Sequence, residues 1–129
     1  MKMIILNIVQ LKQHEEIDKN HLKQLKNKIN NDGVFKEPII VDKDNLVVLD
    51  GHHRLNSCKQ LGLSKIPCLF VNYLHNDKIK VTTRRENYQI NKEIIIKMGL
   101  SNKLFPKKTT KHYIPYRIKN LKIPLSRLY

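Results

Sequence analysis

A chain of 129 residues, 40% hydrophobic and 28% charged, is long enough to bury a core and too apolar for a disordered tail. No apolar run approaches the ~20 residues a bilayer needs. The opening MIILNIV (Met3–Val9) also lacks a small-residue cleavage site, so a membrane role is excluded and the chain is read as cytoplasmic. The formal charge of +14 asks for an anionic partner, either a phosphorylated small molecule or nucleic acid. Nucleic acid is the less favoured of the two: no recognised nucleic-acid motif accompanies the charge, and abundant Lys, Ile and Asn also follow from an A/T-rich genome.

In chain order, Met3–Val9 is rich in β-branched and aliphatic residues and reads as a first strand. The polar loop LKQHEEIDKN follows. Asp18 stands at an N-cap position before Leu22, Leu25 and Ile29 at helical spacing, and Gly33 supplies the stop, which predicts a helix over about Lys19 to Asn31. Glu37–Val41 and Leu46–Leu49 flank DKDN, a turn sequence that predicts a β-hairpin. A helix over Leu55–Leu61, ended by Gly62, leads to a strand over Ile66–Leu74, giving a βαβ-like unit beside the hairpin. The expected class is α+β with a mixed sheet. DKIKVTT alternates as an edge strand, and Asn91 caps a short helix, KEIIIKMG, closed by Gly99. The tail beyond it has three prolines, no helical period and no acidic residue after Glu93, so contacts must hold it in place. The expected organisation is a core over 1–75 and a small C-terminal lobe over 76–129. Cys58 and Cys68 lie outside any CxxC or zinc spacing and read as small buried hydrophobes.

Three clusters carry chemistry. In VVLDGHHRLNSCKQLG (Val47–Gly62), an apolar strand ends at Asp50-Gly51-His52-His53-Arg54 and a helix begins. Strand ends of open sheets bind ligands, and the unpaired N–H groups of the following helix attract an anion. Gly51 permits a sharp turn and a close approach. Arg54 offers bidentate bonds to phosphate, and His52 and His53 offer donors. Asp50 does not suit a bare anion site, but it suits a nucleotide carrying Mg²⁺, since that ion takes one or two carboxylates plus phosphates. The alternative is structural: Asp50 caps the helix and Arg54 makes a surface pair. The second cluster is His14-Glu15-Glu16, whose carboxylates are either solvated charge or a general base. The third, KKTTKH (Lys107–His112), is either a solvated basic edge or a set of donors for phosphate and carboxylate groups.

These stretches, LDGHHRLNSCKQLGLSKIP preceded by HEE and INNDGVFKEPIIVDKDN, resemble the ParB/sulfiredoxin-type nucleotide-binding fold. The Asp-Gly-His-His-Arg form resembles the free serine kinases of archaea and the related bacterial siderophore-pathway serine kinase. The tail KLFPKKTTKHYIP is similar to the archaeal tail motif. His52 stands where sulfiredoxin carries its cysteine, which disfavours peroxiredoxin repair. A ParB-type Gly-Glu-Arg-Arg turn and a downstream helix-turn-helix are missing from the pattern. The archaeal kinases have a fuller second lobe and a tryptophan that this chain lacks. The resemblance implies a kinase that phosphorylates free L-serine to O-phosphoserine with ATP or ADP and Mg²⁺. Glu15 or Glu16 would be the base, with Glu15 favoured. Asp50 would hold the metal or assist the acceptor, and Gly51, His52, His53 and Arg54 would hold the nucleotide. Lys108, Thr110 and His112 would grip serine and its transferred phosphate. A ParB-like, nucleotide-responsive DNA-binding or regulatory protein is the alternative. The kinase reading requires the three clusters to converge on one cleft.

Overall fold

A computed structural model describes residues 2–115 and 117–129. The opening aliphatic run forms β1 (Lys2–Asn7), followed by a single 3₁₀ turn that buries Ile8. Asp18 caps α1 (Lys19–Asp32) by accepting from the N–H groups of Asn20 and His21 at 2.9 and 3.2 Å, and Gly33 ends the helix at φ +68°. The elements that follow are β2 (Val34–Phe35), β3 (Ile39–Asp42), β4 (Val48–Asp50), α2 (His52–Gln60) and β5 (Lys65–Val71). Then come β6 (Lys80–Thr83), α3 (Lys92–Leu100), β7 (Thr110–Tyr113) and β8 (Ile123–Pro124).

The main sheet has the order β1-β5-β3-β4. β1 and β4 run antiparallel to their neighbours, while β3 and β5 are parallel, so the sheet is mixed and the class is α+β as expected. The unit around α2 differs from the expected βαβ: β3 lies between β4 and β5, and the parallel pair is the non-consecutive one.

Alternation along the strands sends residues into two cores. Ile39, Val41, Val48, Ile66 and Cys68 meet Ile29 of α1 and Leu55 and Cys58 of α2 on one face. Ile40, Val47, Leu49, Leu69 and Val71 meet Ile95 and Ile96 of α3 on the other. All four residues of β3 are buried, as expected for a strand covered on both faces.

Two expectations about helix ends change. α2 begins at His52, three residues before the apolar period starts, because Gly51 at φ +106° turns the chain directly into it. Gly99 does not close α3: it is buried inside the helix, where an added Cβ would stand 2.7 Å from Val47 Cγ1. It lets the helix backbone lie against the sheet.

The tail is held by contacts, as its propensities require. Ile123 pairs with Phe35, and the carbonyl of the buried Leu128 accepts from the N–H groups of Ser64 and Lys65, each at 2.9 Å. Earlier in the tail, β7 pairs antiparallel with β6. Among the described residues no helix is long and apolar enough to cross a membrane.

Candidate active site

The strand-to-helix turn is built around Gly51. A Cβ there would overlap Ile39 Cγ2 and stand 2.9 Å from Ile39 Cβ, so packing under the turn and the positive φ both demand glycine. Among the described residues no side chain caps α2, which leaves its first N–H groups open at the end of the strand. Asp50 does not cap the helix. Its Oδ2 accepts from Arg54 Nη2 at 3.1 Å and from Arg117 Nη1, arriving from the tail, at 2.6 Å. Burial raises the Asp50 pKa, but the two guanidiniums outweigh it and hold the carboxyl below the usual range. Arg54 also donates to the carbonyls of Glu37 and Pro38 at 3.1 and 3.0 Å, so its guanidinium braces the turn from behind.

The loop carrying Glu15 is stitched on both sides. Val48 N–H donates to Lys12 O at 2.7 Å, and beyond it Phe105 N–H donates to His14 O and Glu16 N–H to Phe105 O, each at 2.8 Å. Glu15 is thereby held against the start of β7. Its Oε1 accepts from the N–H groups of Thr110 and Thr109 at 2.7 and 3.2 Å and from the Thr110 hydroxyl at 2.8 Å. Burial still raises its pKa, outweighing those bonds and the nearby Arg84.

Behind these carboxylates the imidazoles of His14, His52 and His112 pack edge to face, with centroids 4.5 Å (His14–His52) and 5.9 Å (His14–His112) apart. His14 donates from Nδ1 to Val48 O at 2.8 Å, and its backbone N–H donates to His52 Nε2 at 3.2 Å. His112 Nε2 is hydrogen-bonded to Tyr73 Oη at 2.8 Å. Burial lowers the pKa of His14 to about 4 and of His112 to about 3, and drives that of His52 far down, so all three are neutral at pH 7. His53 is lowered too, first by burial and then by His21, and its Nε2 accepts from Asp18 N–H at 2.9 Å. With His14, His52, His53 and His112 held neutral, Arg84, Lys108, Lys111 and Arg117 bring positive charge to the cleft.

Glu15, Asp50, Gly51, His52, His53, Lys108, Thr110 and His112 line one cleft of about 400 Å³. The strand end, the open helix terminus, two carboxylates and four cations share this cleft: the helix terminus and cations suit phosphate groups, and a carboxylate suits a hydroxyl proton held beside them.

Residues 1–88, more than half of the chain, match the family model described as the ParB N-terminal domain. The chain belongs to the ParB N-terminal domain family. A protein of Staphylothermus marinus named ATP-dependent L-serine kinase is 37% identical over 84 residues, covering 62% of this ParB-family chain and 33% of that protein. The ADP-dependent L-serine kinase SerK of Thermococcus kodakarensis is 26% identical over 84 residues, covering 62% and 34%. The chain thus spans about a third of the length of these curated relatives. The solved structure of a free serine kinase in complex with AMP superposes with a TM-score of 0.89 at 14% identity, over 98% of this chain and 93% of that one. That likeness establishes the shared fold.

In this ParB-family site, two residues read from sequence stand apart from the cleft. Glu16 is exposed on the far side of its loop, among Ile17 and Lys19, and Arg54 points beneath the turn. The sequence reading assigned no role to His14, Arg84 or Arg117, and took Lys111 only as part of the KKTTKH set of donors. Arg84 follows an alternating strand and Arg117 a proline-broken tail; no local pattern tells where either guanidinium points. Among the described residues no three His, Cys, Asp or Glu side chains group into a metal cage. The cysteines are free and buried, and burial pushes each thiol up to about 12.

Proposed function

We propose that this ParB-family chain transfers a phosphoryl group from ATP or ADP to free L-serine, giving O-phosphoserine, as the names of its curated relatives suggest. The observation that carries this reading is the convergence of the Glu15 loop, the Asp50–Arg54 turn and the Lys108–His112 segment on one cleft. Phosphoryl transfer asks mainly for positioning and charge neutralisation, with a carboxylate to orient the nucleophile. Residues 1–75 form the nucleotide-binding core in this reading, and residues 76–129 supply the acceptor segment.

The nucleotide phosphates lie at Gly51 and the open N-terminus of α2, where His52 and His53 offer neutral Nδ1–H donors. Arg54 acts behind them by fixing Asp50. Glu15, and not Glu16, takes the proton of the serine hydroxyl as that oxygen bonds to the terminal phosphorus and the bridging P–O bond to the nucleotide breaks. A carboxylate whose pKa is raised by burial is the better base for this. Lys108 and the Thr110 segment face the transferred phosphate, with neutral His112 behind. A Mg²⁺ ion fits if the phosphates supply most of its ligands: Asp50 Oδ1, in no hydrogen bond with the described residues, is the protein oxygen that would hold it, and the ion would neutralise phosphate charge. Action in the cytoplasm follows from the need for free serine and nucleotide.

The test is incubation of the protein with Mg²⁺, a panel of free amino acids and either ATP or ADP, with phosphorylated products read by mass spectrometry. Phosphoserine as the dominant product is expected. Absence of any phosphorylated amino acid with both donors, together with DNA association that weakens steeply with salt, would replace this reading by the DNA-binding one.

A further inference from the structure

Of the four Lys and Arg side chains of the cleft, two already have carboxylate company. Arg117 is bonded to Asp50 and lies 3.7 Å from Glu37, and Lys108 lies 4.0 Å from Asp18. The Arg84 side chain makes no hydrogen bond or ion pair with the described residues, yet it lines the cleft and its charge is felt by Glu15. Its backbone fixes where it stands. Arg84 N–H donates to Thr109 O at 2.8 Å, and Thr109 N–H donates to Glu15 Oε1 at 3.2 Å, so Arg84 starts one ladder step from the carboxylate.

Only two saturated carbons separate the hydroxyl of serine from its carboxylate carbon. Whatever holds the carboxylate must therefore stand beside the base that takes the hydroxyl proton. A guanidinium is the side chain that matches a carboxylate with two parallel hydrogen bonds. Resting on the serine-kinase reading above, we propose that Arg84 binds the α-carboxylate of the acceptor and makes the site selective for free amino acids over acceptors whose carboxylate is blocked. Lys111, the other cation of the cleft with no hydrogen bond or ion pair from its side chain to the described residues, lies on β7, is a point charge and cannot make the paired contact.

The experiment compares L-serine with L-serinamide, which keeps the hydroxyl and amine and lacks the carboxylate charge, in wild type, Arg84→Ala, Arg84→Gln and Lys111→Ala. Arg84 is exposed, and thermal melts of both Arg84 variants report that the fold is kept. Arg84→Ala is expected to raise KM for serine about tenfold or more, leaving kcat and the nucleotide KM near wild type, with the preference for serine over serinamide lost. A retained preference in both Arg84 variants, a rise in nucleotide KM instead, or loss of the preference only in Lys111→Ala would overturn the assignment. Binding of the two ligands without nucleotide is followed by NMR titration in the same proteins. Failure of turnover alone then sinks the kinase reading, while equal binding of serine and serinamide by wild type sinks the role of Arg84.

Discussion

Gly51 answers to two constraints at once, a φ of +106° and the side chain of Ile39 where a Cβ would go. Gly51→Ala is therefore expected to destabilise by about 2 kcal/mol or more, read as a lowered denaturation midpoint. Its neighbour Asp50 is equally determined, tied to α2 by Arg54 and to the tail by Arg117. At Glu15, burial raises the pKa against three hydrogen bonds. If Glu15 is the base, kcat/KM falls on the acid side with an apparent pKa above that of an ordinary glutamate. A profile flat down to the range of exposed glutamates would remove it from that role.

At the scale of elements, α3 shows how packing overrides a local rule. An interior glycine costs a helix ~1 kcal/mol relative to alanine, so Gly99→Ala would stabilise an isolated helix. Here the added methyl meets Val47, so the same change is expected to destabilise the protein, and Val47→Ala in combination should recover part of the loss. The sequence reads such a glycine as a stop because helix ends and close helix–sheet approaches use the same residue. Elements with a strong local signature were legible: the Asp18 cap, the DKDN turn and the apolar strand that leads into Asp50 all formed where their chemistry indicated. The start of α2 was not, because its first turn carries His52, His53 and Arg54 in place of an apolar period. The site was legible to the same extent. Motif residues contiguous in sequence, such as Asp50 to His53, could be found, whereas Arg84 and Arg117 reach the cleft only through strand pairing and the return of the tail.

Over the whole molecule, the buried histidines link folding to pH. In the unfolded chain their imidazoles titrate near 6.5, whereas burial holds His14 at about 4 and His112 at about 3. As pH falls below 6.5 the unfolded chain takes up protons that the folded chain refuses. Their contribution is thus complete above 6.5 and is lost toward pH 4, on the order of 3 kcal/mol for His14 alone. The melting temperature should drop across that window, and a pH-independent melt between 7 and 4 would contradict the buried, neutral cluster. The tail binds the two ends of the chain's architecture together. Leu128→Ala, which empties a fully buried site, is expected to cost about 2–5 kcal/mol in a denaturation experiment. The same return of the tail carries Thr110 to Glu15 and Arg117 to Asp50, so the catalytic proposal depends on a long-range contact.

That contact is tested most directly by phosphoserine formation from L-serine, Mg²⁺ and nucleotide in wild type, Glu15→Gln and Glu16→Gln side by side. The predicted result is product from wild type and Glu16→Gln at similar rates, and a loss of about 10²–10⁴-fold in Glu15→Gln with its melt unchanged. Turnover by Glu15→Gln at the wild-type rate, or no phosphoserine from the wild type with either donor, would contradict the account.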